Sequence, residues 1–373
     1  VLIGIDASRV NRAHMTGTER YARALIDQML SADHTSTVRL YAPDVAAART
    51  ALAHADAAEW RVVRAPRLWT HWGLSRELAR DPVDALFVPA HVLPISFATR
   101  AQRARTRGVV TIHDCGFRHF PEAHPARARW YLEWSTRFAV DRAATLIADS
   151  EATKRDLVEH FHADPDRVVV AYPGLMPVPA MHVDALRAKL AAIGVAAGEY
   201  ALHIGTQHRR KNLRRLIEAW LCAGLKDAQL VLAGAPGYGA EDLRALVAEL
   251  HAERAVRILG YVDEETRTAL LRGARAYLFP SLYEGFGFGV LEAQSVEVPV
   301  ACSNTTSLAE VAGAAAETFD PTSIGAMCAA IKRVMTDAGR RDALRAAGPG
   351  NVARFSWALC ADVVFGAVED RGR

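Results

Sequence analysis

Two glutamates, Glu284 and Glu292, bracket an alternating run of glycine and phenylalanine, Gly285 to Gly289, inside the stretch FPSLYEGFGFGVLEAQSVEVPVAC (279–302). Glycines let a backbone come close to a ligand and take positive φ. Apolar spacing from Val290 onward predicts a helix, and a helix start offers unpaired N–H groups and a positive dipole end to an anion. Carboxylates repel an anion, so the two glutamates suit neutral hydroxyls on either side of it, as a sugar and a ribose provide. A tight strand-to-helix turn with two solvated glutamates fits the same residues. Earlier in the chain Gly205 closes an apolar run, and Arg209, Arg210 and Lys211 follow, just before a helix expected to begin near Asn212. Cations at a helix N-terminus oppose its dipole. Their clustering asks for phosphate, which arginine grips with two prongs and lysine as a point charge. The alternative is a solvated basic turn.

Three weaker signals join these. His113 directly follows a strand in Thr111-Ile112-His113-Asp114, where an imidazole can bond a hydroxyl or carry a proton; a structural histidine is equally compatible. Gly17 sits before a helix, with Thr18 as its expected N-cap, and either approaches a ligand or makes a plain loop. The loop at Tyr261-Val262 has backbone groups that could pair with a base edge.

The elements that must position these residues are legible as short apolar runs alternating with helical patterns. The first block of runs is 1–5, 38–41, 60–63, 85–88, 109–112, 145–148 and 168–171; the second is 200–204, 229–233, 256–259, 276–279, 298–302 and 317–319. Runs rich in Val, Ile and Leu suit strands buried on both faces. Two such blocks predict two doubly wound Rossmann-like α/β domains facing across a cleft, with the residues after each strand lining it. The proline-rich stretch 173–184 is the expected linker. The expected boundaries are 1–175 for the first domain, 185–350 for the second, and 351–373 for a terminal helix beginning with Phe355 and Trp357.

Composition narrows the function. A chain of 373 residues with a net charge of +3 is long for one core and too weakly basic to suggest nucleic acid. No apolar run approaches the ~20 residues that span a bilayer, and the first residues read as a strand, not a signal peptide. Five scattered cysteines without a C-x-x-C pair predict reduced thiols in a cytoplasmic protein. No metal site is expected: Asp164-Pro165-Asp166 lies in a polar turn before a strand. Val290 stands where a dinucleotide fingerprint needs its last glycine, which disfavours a nicotinamide dehydrogenase. His71, Trp72, His91 and Pro94 fall in loops. Arg100, Arg103, Arg105 and Arg107 read as a solvated loop, or as contact with an anionic membrane surface or a phosphorylated acceptor. Trp130, Tyr131 and Trp134 are helically spaced, either as packing or as a surface for sugar or lipid. Ser150 starts a further capped helix.

Four stretches in order carry a resemblance over nearly the whole chain: TGTERY, VVTIHDCGFRHFPE through DSEATKRDL, HIGTQHRRKNLRRLIEAW, and LFPSLYEGFGFGVLEAQSVEVPVACSNTTSLAEVAG. The chain resembles the retaining family 4 glycosyltransferases of GT-B fold, whose Glu-x7-Glu signature matches Glu284 and Glu292. The resemblance implies that Arg210 and Lys211 neutralise a donor diphosphate and that Glu292 binds the ribose. It implies that Glu284, with backbone around Phe286, Gly287, Phe288 and Gly289, holds the transferred sugar and its phosphate. Gly17 would approach the donor and His113 the reacting carbon, while Gly205, Arg209 and Val262 complete the donor set. The terminal helix would cross back onto the first domain. No cofactor or metal is implied beyond the nucleotide-diphosphate sugar itself. The wording is nearest to mannosyltransferases of bacterial surface polysaccharide assembly, which makes GDP-mannose the first donor expected and a UDP-sugar the second. The acceptor would be a glycan or a lipid-linked glycan, met in the cytoplasm or at the inner face of the membrane. Phe288-Gly289 replaces a frequent Leu-Pro, Thr206 a frequent Arg, and Tyr172-Pro173-Gly174 a Pro-Asn-Gly, which leaves the donor open. The rivals are a same-fold epimerase or phosphorylase, and a catalytically silent nucleotide-sugar-binding scaffold.

Overall fold

The computed structural model describes residues 1–11, 17–32, 35–65 and 68–370. Its first sheet has seven strands: β1 (Leu2–Asp6), β2 (Thr37–Ala42), β3 (Glu59–Val62), β4 (Ala85–Val88), β5 (Arg107–Ile112), β6 (Thr145–Ala148) and β7 (Val168–Val170). The second has six: β8 (Tyr200–Ile204), β9 (Gln229–Ala233), β10 (Val256–Gly260), β11 (Ala276–Phe279), β12 (Val300–Ser303) and β13 (Ala316–Phe319). Every run expected to be a strand is one, with ends displaced by at most two residues. All pairings are parallel, in the orders β3-β2-β1-β4-β5-β6-β7 and β10-β9-β8-β11-β12-β13. Strands β4, β11 and β12 are buried at every residue, because helices cover both faces of a doubly wound sheet. The order reverses between β1 and β4 in one sheet and between β8 and β11 in the other. Loops leaving the carboxyl ends of adjacent strands diverge there and leave a crevice, where ligands of such sheets bind.

Helices α1 (Gly17–Ser31), α2 (Ala126–Arg142) and α3 (Glu151–Phe161) belong with the first sheet; α4 (Leu213–Ala223), α5 (Glu264–Gly273), α6 (Phe288–Ser295), α7 (Ile324–Thr336) and α8 (Ala338–Val352) belong with the second. Tyr21, Leu25, Ile26 and Met29 form the buried stripe of α1. Ser150 caps α3 by accepting the Thr153 N–H, and Asp263 caps α5 by accepting that of Thr266. Thr18 does not cap α1: it is the helix's second residue. The 69–74 segment is a widened helical turn and not a loop, because its backbone closes i to i+4 and wider rings.

By contacts the chain forms two compact units: 1–115, 127–174 and 355 onward in one, and 116–126 with 175–354 in the other. Chain order and unit therefore part company twice. The short segment 116–126 clusters with the second unit, and the last helix, α9 (Trp357–Glu369), with the first. Its Cys360, Ala361, Val364, Phe365 and Val368 enter the same core as Ile3, Ile5, Tyr21 and Leu25. The stretch 338–369 holds a window apolar enough to cross a bilayer. It is broken at 353–356, however, into α8 and α9, of 15 and 13 residues, each short of the ~20 a span requires. The arginine run is not a solvated loop either. Arg103 donates to Ala98 O at 2.9 Å, and Arg107 to Thr145 Oγ1 at 2.8 Å and Ala367 O at 3.2 Å; Arg100 and Arg105 alone stay exposed. Asp164 caps a short turn, its Oδ1 accepting the Asp166 N–H. All five cysteines are free thiols.

Where the chain leaves the first unit, Gly174 lies under the start of α9: a Cβ there would stand 2.2 Å from Trp357 N and 2.6 Å from Trp357 Cγ. Gly174→Ala is expected to push α9 off its seat and destabilise the protein by roughly 1–3 kcal/mol, as overpacking does. Thermal unfolding checks this; an unchanged midpoint would mean that α9 is not fixed at this point.

Candidate active site

The crevice of the second sheet lies between the loops after β8 and β11. The Gly205 N–H donates to Ala233 O at 2.9 Å. Beside it, Gly234 takes φ of 141°, and a Cβ on Gly234 would fall 2.0 Å from Gly205 O, so these two loops touch backbone to backbone. Next comes a tight turn, Arg209–Lys211, closed by Asn212 at φ of 59°. Asn tolerates this left-handed conformation. Its side-chain amide donates to Pro280 O at 3.2 Å and to Pro321 O at 2.7 Å, and Leu282 N–H donates to Arg210 O at 2.7 Å. These bonds fix the β8 loop against the β11 loop before any charge is considered.

The charges then meet. Arg210 Nη1 donates to Glu284 Oε2 at 2.7 Å and to Tyr283 O at 3.0 Å, and Lys211 Nζ donates to Glu284 Oε1 at 2.5 Å. The Lys211 ammonium also stands 4.7 Å from the centre of the Phe279 ring. Lys211 and Glu284 are both buried. Burial alone would raise the Glu284 carboxyl, but the Arg210 and Lys211 charges outweigh it and hold its pKa at about 2. The basic turn is thus neither solvated nor aimed at the start of α4: two of its three cations clasp a carboxylate, leaving that trio a net charge of +1. Arg209 goes elsewhere. It is exposed and lines a cavity of about 450 Å³ with Phe120, Glu122, Glu218 and Leu282.

The glycine run is shaped from below. Ser307 Oγ lies 2.8 Å from Glu284 O and 2.7 Å from Phe286 O, and Glu284 N–H donates to Thr306 Oγ1 at 3.2 Å. Gly287 has φ of 116°, and a Cβ there would meet Leu308 at 2.7 Å. Helix α6 starts at Phe288, two residues before Val290, so Gly289 is helical and not part of the loop. Phe286 is buried and meets Phe288 edge to face at 4.9 Å. Tyr277 on β11 explains Gly289: an added Cβ would stand 2.5 Å from Tyr277 Oη, which itself donates to Ile204 O at 3.2 Å. Glu292, on α6, is ion-paired to Arg267 on α5. Val262, just beyond β10, is half-buried against the second core.

In the first sheet's crevice, His113 follows β5. Its Nδ1 lies 2.7 Å from Asp149 Oδ2 and its Nε2 3.1 Å from Pro89 O. The Pro89 carbonyl can only accept, so Nε2 carries a proton. Burial opposes the imidazolium, yet the Asp149 charge overrides it and raises the His113 pKa. The His113 N–H donates to His91 Nε2 at 3.2 Å, and the Tyr21 ring meets the His113 ring edge to face at 4.7 Å. With both nitrogens engaged, the His113 ring is fixed and is not a free proton shuttle. Gly17 opens α1, exposed, with nothing within 4 Å of where a Cβ would be. The loop just before it, 12–16, lies outside the described residues.

Arg267, Tyr277, Thr306 and Ser307 in one unit, and His91 and Asp149 in the other, carry no motif of their own. Only the strand-end rule pointed near them: Asp149 follows β6 as His113 follows β5.

Comparison with known proteins places this geometry. Sucrose-phosphate synthase from Thermosynechococcus elongatus superposes with a TM-score of 0.73 at 19% identity, covering 98% of this chain and 97% of that one. Anabaena HepE in complex with UDP and glucose also gives 0.73, at 17% identity and 98% of each chain. The fold class is GT-B. Residues 15–177 match the family described as Glycosyltransferase Family 4, and residues 195–350 match Glycosyl transferases group 1. An Escherichia coli protein named O-antigen chain mannosyltransferase B is 34% identical over 259 residues, 68% of each chain. The chain belongs to the family 4 glycosyltransferases.

The Glu284 pairing sets an acid limit on stability. Its carboxyl is lowered from an ordinary 4.5 to about 2, so the pairing stabilises the fold fully above 4.5 and less as pH falls toward 2. The linked stability is on the order of 3 kcal/mol. Glu284→Gln, which leaves Lys211 buried without its carboxylate, is expected to be destabilised at pH 7 and to approach the parent as pH falls through that window. Denaturant melts from pH 7 to 3 test this; a gap that does not narrow would separate Glu284 from the acid transition. Gly289→Ala is expected to destabilise, and Tyr277→Phe to recover about 1 kcal/mol in the double variant by removing the clashing oxygen. A purely additive cycle would contradict that account.

Proposed function

We propose that the protein transfers a mannosyl residue from GDP-mannose to a hydroxyl of a surface-polysaccharide or glycolipid acceptor, with anomeric configuration retained. The observation that carries this is the Arg210–Lys211–Glu284 cluster at the second sheet's switch point. The mannosyl assignment leans on the Escherichia coli relative; a UDP-sugar is the second donor, favoured by the UDP complex of the structural neighbour.

The chemistry follows from charge. As the glycosidic bond of the donor breaks, positive charge grows at the anomeric carbon and negative charge on the departing diphosphate. Arg210 and Lys211 meet that phosphate charge already desolvated and held in place, so they stabilise the transition state more than the ground state. With these two cations in place, no metal is required on this reading. Glu284, ionised throughout the working range, accepts hydroxyls of the transferred sugar, and Glu292 accepts those of the ribose. The amides at the start of α6 face the phosphate side. The acceptor hydroxyl attacks on the face the diphosphate leaves, and the leaving phosphate takes its proton. Nucleotide sugars are cytoplasmic metabolites, so the reaction is assigned to the cytoplasm or to the inner face of the membrane.

Incubation with a panel of GDP- and UDP-sugars, with slow donor hydrolysis as the readout, tests the assignment. GDP-mannose is expected to be consumed fastest. Lys211→Ala should lose roughly a hundredfold or more in kcat, about 3 kcal/mol of transition-state stabilisation. Unchanged turnover in that variant would remove Lys211 from the mechanism. Nucleotide binding without turnover of any donor would favour a silent scaffold.

A further inference from the structure

The first sheet's switch point holds more polar groups than the transfer mechanism uses, and several are unsatisfied. Asp6, at the end of β1, accepts from Ser8 N–H at 2.9 Å and stands 3.4 Å from Thr70 Oγ1. Arg9, on the same loop, donates to Glu19 at 3.1 Å. His71 follows Thr70, is 5% exposed, and its Nε2 lies 2.9 Å from Tyr131 Oη. Yet His71 Nδ1, His91 Nδ1 and Asp149 Oδ1 are all buried without a hydrogen-bond partner. Buried polar atoms are nearly always paired, so three orphans around one crevice call for a ligand rich in hydroxyls.

Two large exposed indoles adjoin the His71–Tyr131 bond in the chain. Trp72, next to His71, is 63% exposed, and Trp130, next to Tyr131, is 68% exposed. The His71–Tyr131 bond therefore ties together the two segments that carry them. Trp130 does not hang loose: it stacks on Trp134 at 6.5 Å and 10°, and Trp134 stacks on Phe138 at 5.6 Å and 19°. An aromatic ladder runs along α2 and ends in an open indole face. Exposed aromatics held in place this way mark a binding surface, and a pyranose offers a matching apolar C–H face with hydroxyls around its rim.

We propose that Trp72 and Trp130, linked by the His71–Tyr131 pair, form the seat of the acceptor, and that the acceptor is recognised there as a saccharide stacked on indole. The inference rests on the reading of the protein as a sugar transferase and adds where and how the acceptor is held. Exposed Arg127 and Arg129 at the same end of α2 suit an anionic bilayer as well. The orphaned histidine and aspartate atoms decide for sugar: hydroxyls both donate and accept, and lipid headgroups lying on the rim would leave those buried atoms unpaired.

Saturation-transfer NMR of a mannotriose with the full chain needs no turnover and so stands apart from the donor assignment. Transfer to the trisaccharide is expected with the parent, to be lost in Trp130→Ala, weakened in Trp72→Ala, and largely restored in Trp130→Phe. In steady-state transfer to the same trisaccharide, Trp130→Ala should raise the acceptor KM about tenfold and leave the donor KM within about twofold. An acceptor KM within twofold of the parent in both alanine variants would overturn the proposal. So would loss of binding to vesicles containing phosphatidylglycerol with saccharide binding intact, which would make the rim a membrane contact. If no donor is hydrolysed, the transferase reading fails, and the NMR result still decides whether the rim binds saccharide.

Discussion

A carboxylate buried between an arginine and a lysine is the constraint on which the second unit's site depends. Taking Glu284 and Lys211 out of water costs several kcal/mol per ion, and only close pairing returns it. That requirement dictates the local backbone. The turn 209–211 has to present consecutive side chains to one carboxylate, so it is tight, and Asn212 closes it in a left-handed conformation while bonding two further loops. The glutamate, for its part, is held at its main chain by Thr306 and Ser307. Loops after β8, β11, β12 and β13 are thereby joined at one point, and the cluster is held rigid by the protein alone. The surplus of one positive charge is small: Glu284 keeps the two cations from repelling each other and leaves the trio attractive to an anion.

The two switch points share an architecture and differ in chemistry. In the second unit the crevice is dominated by formal charge, fully paired. In the first it is dominated by neutral or singly paired polar groups, with His113 held by the Asp149 carboxylate. On the reaction proposed above, a charged leaving group and a neutral nucleophile call for that division. Arg209, which sequence order alone would place with its two neighbours, lies outside it, because a tight turn cannot point three consecutive long side chains the same way.

The strands and the two-sheet fold class were legible because buried parallel strands leave continuous apolar runs that little else imitates. Glu284, Arg210 and Lys211 could be picked out, but not their mutual contact: two charges 73 residues apart carry no sign in sequence that they are bonded. Apolar periodicity points to a helix from Val290; the helix begins two residues earlier, at Phe288, where Gly289 packs against Tyr277 with no room for a Cβ. Thr18 looked like a cap because a Ser/Thr before an apolar stripe usually is one. The arginine run looked solvated because backbone carbonyls, which absorb Arg103 and Arg107, are invisible in composition. Loops such as 69–74 and partners such as Arg267 and Asp149 depend on tertiary proximity alone.

The return of α9 to the first unit has a consequence for how the protein is made. On the ribosome, the first sheet emerges early, but the helix that fills its core with Cys360, Val364 and Phe365 follows only after the whole of 175–354, most of the second unit. At ~5–20 residues per second, the first unit waits some ten to forty seconds with an apolar face uncovered while the second unit, whose residues are nearly contiguous, is synthesised and can close on itself. The second unit is in effect an insertion completed before its host. Nascent first-unit surface is the natural place for a chaperone to hold this chain, and chains released before α9 is made would carry an intact second sheet and a first unit that never finishes its core.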